Sequence, residues 1–134
     1  MAAPPTRVHQ LDNGLTLVVR EQRQAPVVAI VTRVGAGYFD ESDDIVGISH
    51  VLEHMFFKGT PTRGPGEIGR ATKQAGGYLN ASTIYNRTLY YTVLPSESLE
   101  QGLALQSDAL LNAAIDPDEL RRELGVIIEE AKRK

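Results

Sequence analysis

The sequence predicts an α+β domain in which helices pack on a mainly antiparallel sheet. Strand-like and helix-like segments follow one another in the order ββ-β-α-α-β-β-α-α, which is typical of α+β domains rather than of alternating α/β domains. Two pairs of adjacent strand-like runs, one joined by Asn-Gly, favour hairpins. The chain has 134 residues, of which 42% are hydrophobic and 23% charged, and this is typical of one globular domain or part of one.

Three runs in the first third predict strands. Residues 8–11 and 15–19 flank Asp12-Asn13-Gly14, and an Asn-Gly pair between apolar runs favours the tight turn of a hairpin. The run from Val27 to Val34 is β-branched and almost uninterrupted. We therefore expect it to form a buried central strand that ends at Gly35-Ala36-Gly37.

An apolar helix is predicted next. The acidic loop before it offers Ser42, Asp43 or Asp44 as a cap. The helix is expected from about Gly47 to Lys58, because Gly59-Thr60-Pro61 then ends it. Its apolar content predicts that it is largely buried.

The middle of the chain predicts a short helix, a hairpin and a longer helix. The short helix spans 66–74, and the two strands span 78–83 and 88–94. Pro95-Ser96-Glu97 then begins a helix that extends to about Ala114. Its leucines lie on one side, at positions Leu99, Leu103, Leu110 and Leu111.

The last helix is predicted from its first residues, with Asp116 as cap and Pro117 in the first turn. It continues through Lys132-Arg133-Lys134 without a glycine or proline. We therefore expect the chain to be a truncated piece of a domain.

Composition excludes several classes of function. The net charge of −3 does not favour binding to nucleic acid or to an anionic membrane. The absence of cysteine excludes disulfides and thiolate metal sites. No apolar run has membrane-spanning length, and residues 1–5 lack the hydrophobic region of a signal peptide. The compartment is not determined, and we expect a soluble protein of the bacterial cytoplasm or periplasm.

The sequence His50-Val51-Leu52-Glu53-His54 predicts a metal site. In a helix His50 and His54 stand one turn apart on the same side, with Glu53 beside them. Two imidazoles at this spacing can hold one metal ion, and zinc is the usual choice for such nitrogen-rich sites. Zinc lowers the pKa of a water toward neutrality, and the neighbouring carboxylate can take its proton.

A third ligand must come from elsewhere, and the last helix offers four glutamates, at positions Glu119, Glu123, Glu129 and Glu130. By helical periodicity Glu129 points away from the apolar stripe of that helix, toward solvent. Glu123 and Glu130 lie two turns apart on the flank of the stripe. One of the two could bind zinc while the other orients a histidine, or both could form a solvated helix edge.

The chain resembles the pitrilysin, or M16, family of zinc metallopeptidases over nearly its whole length. Its histidine motif, read as His-x-x-Glu-His, has the family's inverted order. The segments that carry the resemblance are Asp12-Asn13-Gly14-Leu15, Gly35-Ala36-Gly37-Tyr38 with Glu41, residues 50–60, residues 76–83, Arg87-Thr88, Tyr90-Tyr91, and Glu123 through Glu130.

The resemblance implies a role for each residue of the motif. His50, His54 and Glu130 would be the ligands of one Zn²⁺ per chain, and Glu53 would be the general base. Glu123 would support the site without binding the ion. The resemblance also implies the pitrilysin-like fold, with residues 1–134 as the N-terminal, zinc-carrying part of a single metallopeptidase domain.

The same resemblance implies the partners. Asn80 and Ala81 match positions at which the family holds an extended peptide against a sheet edge. Family active sites are completed by a homologous second half or a partner subunit, on the same chain or in a dimer. The predicted function is therefore a zinc-dependent metalloendopeptidase that hydrolyses peptides or unfolded segments, with Glu53 taking a proton from the zinc-bound water. The alternatives are a non-catalytic binding or recognition subunit of the same family and a hydrolytic domain for non-peptide substrates.

Overall fold

The computed structural model describes residues 5–133, so residues 1–4, which are most of the segment considered for a signal peptide, and Lys134 lie outside the described residues. The strands are β1 Thr6–Gln10, β2 Thr16–Arg20, β3 Val27–Val34, β4 Tyr78–Ile84 and β5 Arg87–Pro95. The helices are α1 Ile48–Met55, α2 Glu67–Gln74, α3 Leu99–Leu111 and α4 Pro117–Lys132. The predicted α+β class, with helices on antiparallel strands, is confirmed.

The first hairpin is formed as predicted. β1 pairs with β2 in antiparallel register, with Val8 opposite Val18. Gly14 adopts a φ of +86°, a conformation that costs a glycine little, and the Asn13 side chain accepts a hydrogen bond from the Leu15 N–H at 3.1 Å. Both strands are exposed along their whole length.

The second sheet has the order β3-β5-β4, and this corrects the expectation that β3 is a buried central strand. β5 is the central strand, and its residues Thr88, Tyr90, Thr92 and Leu94 are buried. In β3 every second residue is exposed. The β-branched run correctly predicted a strand, but the position of a strand in its sheet depends on its partners, and within the described residues β3 pairs only with β5.

The helices cover one face of this sheet. Phe56, just after α1, packs with Ile68 of α2, Tyr90 of β5 and Ala109 of α3. The rings of Phe56 and Tyr90 stack with their centroids 4.2 Å apart. This core fixes the end of α1 against the sheet, and it thereby sets the position of the histidine motif.

α1 is shorter and less buried than the sequence predicted. It ends at Met55 rather than near Lys58. Met55 is almost fully buried, but Leu52 is 46% exposed. The apolar residues Ile48, Val51, Leu52 and Met55 share one face of α1, and the described part of the chain covers only part of that face.

α3 buries a different face from the one that its leucines mark. It begins at Leu99, after a short 3-10 turn at Ser96–Ser98. Its buried residues are Gly102, Leu105, Gln106 and Ala109. The four leucines that mark one side of the helix in the sequence are exposed, namely Leu99, Leu103, Leu110 and Leu111. Small and polar side chains suit this interface because α3 lies close to β3 and β5. Gln106 donates to the Thr32 hydroxyl and accepts from the Thr92 hydroxyl, both at 2.7 Å.

α4 begins as predicted. Oδ1 of Asp116 accepts the N–H groups of Asp118 and Glu119 at 2.9 and 3.0 Å, and Pro117 occupies the first turn. α4 packs against α1, and its buried residue is Glu123. Among the described residues, every helix is too short or too polar to cross a membrane.

Candidate metal centre

The start of α1 is held by Glu41. The two carboxylate oxygens of Glu41 accept the N–H groups of Gly47 and Ser49 at 2.7 and 2.8 Å. Burial raises the pKa of Glu41, but these backbone donors outweigh it and hold the pKa below its ordinary value. The prediction that Ser42, Asp43 or Asp44 caps this helix is therefore wrong. Gly47, with a φ of +94°, immediately precedes the helix, and the Ser42 hydroxyl donates to Asp44 instead of reaching it.

α1 presents two imidazoles to the same point. The Nε2 atoms of His50 and His54 are 3.1 Å apart, and their rings meet edge to face with centroids 4.7 Å apart. Both side chains are 18% exposed. One helical turn separates the residues, and this spacing is what brings the two nitrogens together.

α4 brings two glutamates to these imidazoles from the other side. Oε2 of Glu130 lies 3.5 Å from His50 Nε2 and 3.8 Å from His54 Nε2. Oε2 of Glu123 lies 2.8 Å from His54 Nδ1. Glu129 points away, as its periodicity predicted, and pairs with Lys132 at the surface.

The donor set of His50, His54 and Glu130 fits a zinc ion. Neighbouring ligand atoms of a tetrahedral Zn²⁺ with bonds of about 2.1 Å lie about 3.4 Å apart. The three donor atoms here form a triangle with edges of 3.1, 3.5 and 3.8 Å. Two imidazole nitrogens and one carboxylate match the composition of known catalytic zinc sites. All three residues line a cleft.

The tautomer of His54 supports the same conclusion. Glu123 stands at Nδ1 of His54 and, as a carboxylate, can only accept a hydrogen bond, so Nδ1 carries the proton. With Nδ1 as the donor to Glu123, Nε2 of His54 can offer a lone pair on the side that faces His50 Nε2 and the Glu130 carboxylate. Nitrogen and carboxylate oxygen ligands directed at one point suit a metal ion.

Glu123 is itself held by Lys58. Lys58 Nζ lies 2.5 Å from Glu123 Oε1, the carboxylate oxygen that does not face His54. Burial raises the pKa of Glu123, but the hydrogen bonds and charges of Lys58 and His54 together lower it by more. The net result is a pKa below the ordinary value. The carboxylate is therefore kept ionised behind the imidazole.

Glu53 lies beside the imidazoles, in a cleft of about 370 Å³ that His50, His54 and Glu130 also line. Its Oε2 atom accepts a hydrogen bond from the Thr83 hydroxyl at 2.5 Å. Its negative charge also acts on Tyr90, whose pKa is raised to about 12 mainly by burial and then by Glu53. Tyr90 thus remains a neutral phenol at physiological pH.

Asn80 and Ala81 lie on β4, the edge strand next to this cleft. Asn80 lines the cleft, and its side-chain carbonyl accepts the Ala81 N–H at 2.9 Å. Among the described strands, β4 pairs only with β5, and its other backbone edge is open. Asn80 is therefore a strand residue, in agreement with the strand predicted over residues 78–83.

The structure thus brings six of the seven predicted site residues to one cleft. His50, His54, Glu130, Glu53, Glu123 and Asn80 all line it, and Ala81 neighbours Asn80 on the same strand. Reasoning from sequence assigned no role to three residues that hold the site. Lys58 could have been found from its spacing, because it follows His54 by four residues. Glu41 and Thr83 act across the fold, and the sequence marked them only as members of segments that carry the family resemblance, without indicating a role for either.

The chain is similar to known proteins over most of its length. Residues 16–133 match the profile of the insulinase family, described as peptidase family M16. A protein of Bacillus subtilis named as an uncharacterized zinc protease, YmxG, is 38% identical over 120 residues. A probable mitochondrial-processing peptidase subunit beta of Arabidopsis thaliana is 35% identical over 130 residues.

These relatives are considerably longer. The aligned segment covers 90% of this chain but 29% of the Bacillus protein, and 97% of this chain but 24% of the Arabidopsis protein. A crystal structure of a protease from Helicobacter pylori superposes with a TM-score of 0.91 at 29% identity, covering 96% of this chain and 31% of that one. The chain therefore spans about 30% or less of the length of these proteins.

Proposed function

This chain belongs to the insulinase family of peptidases, M16, and from that premise we propose that residues 1–134 are the N-terminal, zinc-carrying part of a metalloendopeptidase domain. The single observation that carries the proposal is the convergence of three metal-ligating atoms beside a carboxylate that is not one of them. His50, His54 and Glu130 supply ligand atoms within 4.8 Å of one another, and Glu53 lines the same cleft.

The residues proposed to hold Zn²⁺ are His50, His54 and Glu130. When bound, zinc supplies a Lewis acid that polarises the scissile carbonyl and lowers the pKa of a water. Glu53 accepts the proton of the attacking water and later gives it to the leaving amine. Glu123 accepts a hydrogen bond from His54 Nδ1, which fixes the ring so that Nε2 faces the ion.

The substrate is proposed to be an extended peptide. A peptide main chain can pair with the open backbone edge of β4, with Asn80 and Ala81 as the contacting residues. This pairing would place a peptide bond along the cleft that contains Glu53. A homologous second half or a partner subunit is proposed to complete the site, because the relatives are more than three times as long as the matched segment.

The alternative within the family is a non-catalytic binding or recognition subunit. Such a protein has no need to keep a proton acceptor beside a metal triad. Here the three ligand residues, Glu53 and Glu123 are all present and line the same cleft. We therefore propose the peptidase rather than the binding subunit, and turnover of a peptide, as opposed to its binding alone, separates the two.

Hydrolysis of non-peptide substrates is the second alternative. The open edge of β4 beside the cleft favours a peptide, because main-chain pairing needs an extended polypeptide. A panel of peptides against small esters tests this point. Cleavage of the esters without cleavage of any peptide would overturn the peptidase assignment.

Zinc content is the first test. After exhaustive dialysis, the wild-type protein is expected to keep about one zinc per chain, whereas Glu130→Gln loses it because a neutral amide oxygen binds zinc poorly. Glu129→Gln is the matched control, since Glu129 is the next residue and points to solvent. Equal zinc in the wild type and Glu130→Gln would contradict the assignment of the third ligand.

Peptide hydrolysis is the second test, made in the intact protein with its second half or partner subunit. Glu53→Gln is expected to keep zinc and to lose hydrolysis by about 10²-fold or more, because a glutamine side chain cannot accept the proton. Hydrolysis at the wild-type rate by Glu53→Gln would refute the mechanism.

A further inference from the structure

The shortest contact of Glu53 joins it to the edge strand rather than to its own helix. Thr83, the sixth residue of β4, places its Oγ1 atom 2.5 Å from Glu53 Oε2. We propose that Thr83 is a positioning residue for Glu53, which fixes Oε2 so that Oε1 is the oxygen that accepts the proton. The inference rests on the proposed function, because it assigns Thr83 to the same reaction.

The direction of this hydrogen bond follows from the neighbouring groups. The hydroxyl of Thr88 donates to the carbonyl of Ala36 at 3.0 Å, and it lies 3.3 Å from the Thr83 hydroxyl. Thr83 has one hydroxyl proton, and an ionised carboxylate can only accept. The Thr83 proton therefore goes to Glu53, because that contact is much the shorter of the two.

The donor is held more firmly than the acceptor. Thr83 pairs with Thr88 across the antiparallel ladder of β4 and β5, and a β-branched side chain has few rotamers in a strand. Glu53 has three side-chain torsions and stands on α1, of which one side is uncovered. The hydroxyl therefore restricts the carboxylate, not the reverse.

This restriction matters for the reaction. A general base works only within hydrogen-bonding reach of the proton that it takes, and displacement by about 1 Å can cost about 10²-fold in rate. Without Thr83 the carboxylate can rotate away from the water. The loss falls on the chemical step, since Thr83 does not belong to the zinc ligands.

The test compares Thr83→Val with Thr83→Ser in the intact protein. Valine keeps the shape and removes the hydroxyl, so kcat is expected to fall by about 10- to 100-fold with KM within about twofold of wild type. Serine keeps the donor and is expected to restore kcat to within about threefold. Zinc content stays at about one per chain in both variants. Thr16→Val in β2 is the control, because it makes the same change on an exposed strand of the separate hairpin.

A double-mutant cycle shows whether Thr83 acts through Glu53. In a Glu53→Ala background, Thr83→Val is expected to cause no further loss of the residual rate. In chemical unfolding, Thr83→Val is expected to lower the denaturant midpoint less in the Glu53→Ala background than in the wild type. Two equal shifts would show that the hydroxyl does not interact with Glu53.

Different results would contradict the role of Thr83 and the proposed function. If Glu53→Gln is inactive but Thr83→Val keeps the wild-type kcat, the inference about Thr83 is wrong and the proposed function stands. If Glu53→Gln itself keeps its activity, the proposed function fails. A fall in kcat that Thr83→Ser does not restore would show that the loss is structural, and this too would overturn the inference.

Discussion

Lys58 Nζ lies 2.5 Å from Glu123 Oε1, on the side of the carboxylate that faces away from the metal ligands. The two side chains are only 26% and 11% exposed. Burial of a lone carboxylate costs free energy, and a paired ammonium offsets that cost. Lys58 therefore keeps Glu123 charged and correctly oriented toward His54.

Loss of Lys58 is expected to weaken zinc binding without removing a ligand. In Lys58→Met the stem of the side chain is kept and the charge is lost, so Glu123 is no longer fixed behind His54 Nδ1. We expect the zinc dissociation constant, measured by competition with a chelator, to rise by about tenfold, the lower end of the usual effect of residues that orient a ligand. Lys132→Met, which breaks an exposed pair on α4, is the control. An unchanged dissociation constant in Lys58→Met would show that Lys58 has no such role.

Glu41 is expected to stabilise the histidine-bearing helix. Glu41→Ala leaves the N–H groups of Gly47 and Ser49 without their acceptor, and loss of such a cap costs about 1 kcal/mol of unfolding free energy. Urea unfolding of the metal-free protein measures this. Ser42→Ala is the control, because the Ser42 hydroxyl donates to Asp44 rather than to the helix. A loss in Ser42→Ala as large as that in Glu41→Ala would contradict the assignment.

The sequence could predict the elements because their signals are local. The Asn-Gly turn, the Asp116 cap and the periodicity of the glutamates on α4 each depend on a few neighbouring residues, and the structure contains all three features. The same 3.6-residue period predicted Glu129 at the surface and Glu123 and Glu130 on one flank of α4, but it left open whether that flank faces α1 or solvent.

The strand order, the packed face of α3 and the contacts that hold the site depend on distant segments of the chain, which no local pattern encodes. β3 has the composition of a central strand, but β5 takes that place because it pairs on both sides. Thr83 reaches Glu53 across thirty positions of the chain, and Glu41 holds α1 by reaching over a turn. The leucines of α3 are conspicuous in the sequence, yet the packed face carries Gly102 and Gln106. Gly102 lets the helix approach the sheet closely, and Gln106 forms hydrogen bonds with Thr32 and Thr92.

Asp108 is expected to make stability depend on pH. The side chain of Asn112 donates to it at 2.8 Å, and Thr60 and Arg63 donate to its other oxygen, so the pKa of Asp108 lies below its ordinary value. A carboxyl whose pKa is lower in the folded state stabilises the fold above its unfolded pKa, and this contribution is lost as the pH falls through the folded pKa.

The variant Asp108→Asn tests this dependence. We expect it to unfold at lower urea concentration than the wild type at pH 7, and the difference to shrink as the pH falls below about 4. Asp43→Asn, at an exposed position in the loop before α1, is the control. A difference that stays constant from pH 7 to pH 3 would mean that the charge of Asp108 is not what stabilises the fold.

Gly102 and Gly125 are expected to respond in opposite ways to the same substitution. A Cβ atom on Gly102 of α3 would lie 2.1 Å from Cδ1 of Leu94, a fully buried residue of β5, and 2.8 Å from Cδ1 of Ile30. Gly102→Ala is therefore expected to lower the unfolding free energy by about 1–3 kcal/mol, because overpacking outweighs the better helix propensity of alanine.

On α4, a Cβ atom on Gly125 meets nothing within 4 Å, so Gly125→Ala should raise the unfolding free energy by about 0.5–1 kcal/mol. Urea unfolding of both variants measures the two changes, and a gain in stability for Gly102→Ala would show that α3 does not pack this closely on the sheet.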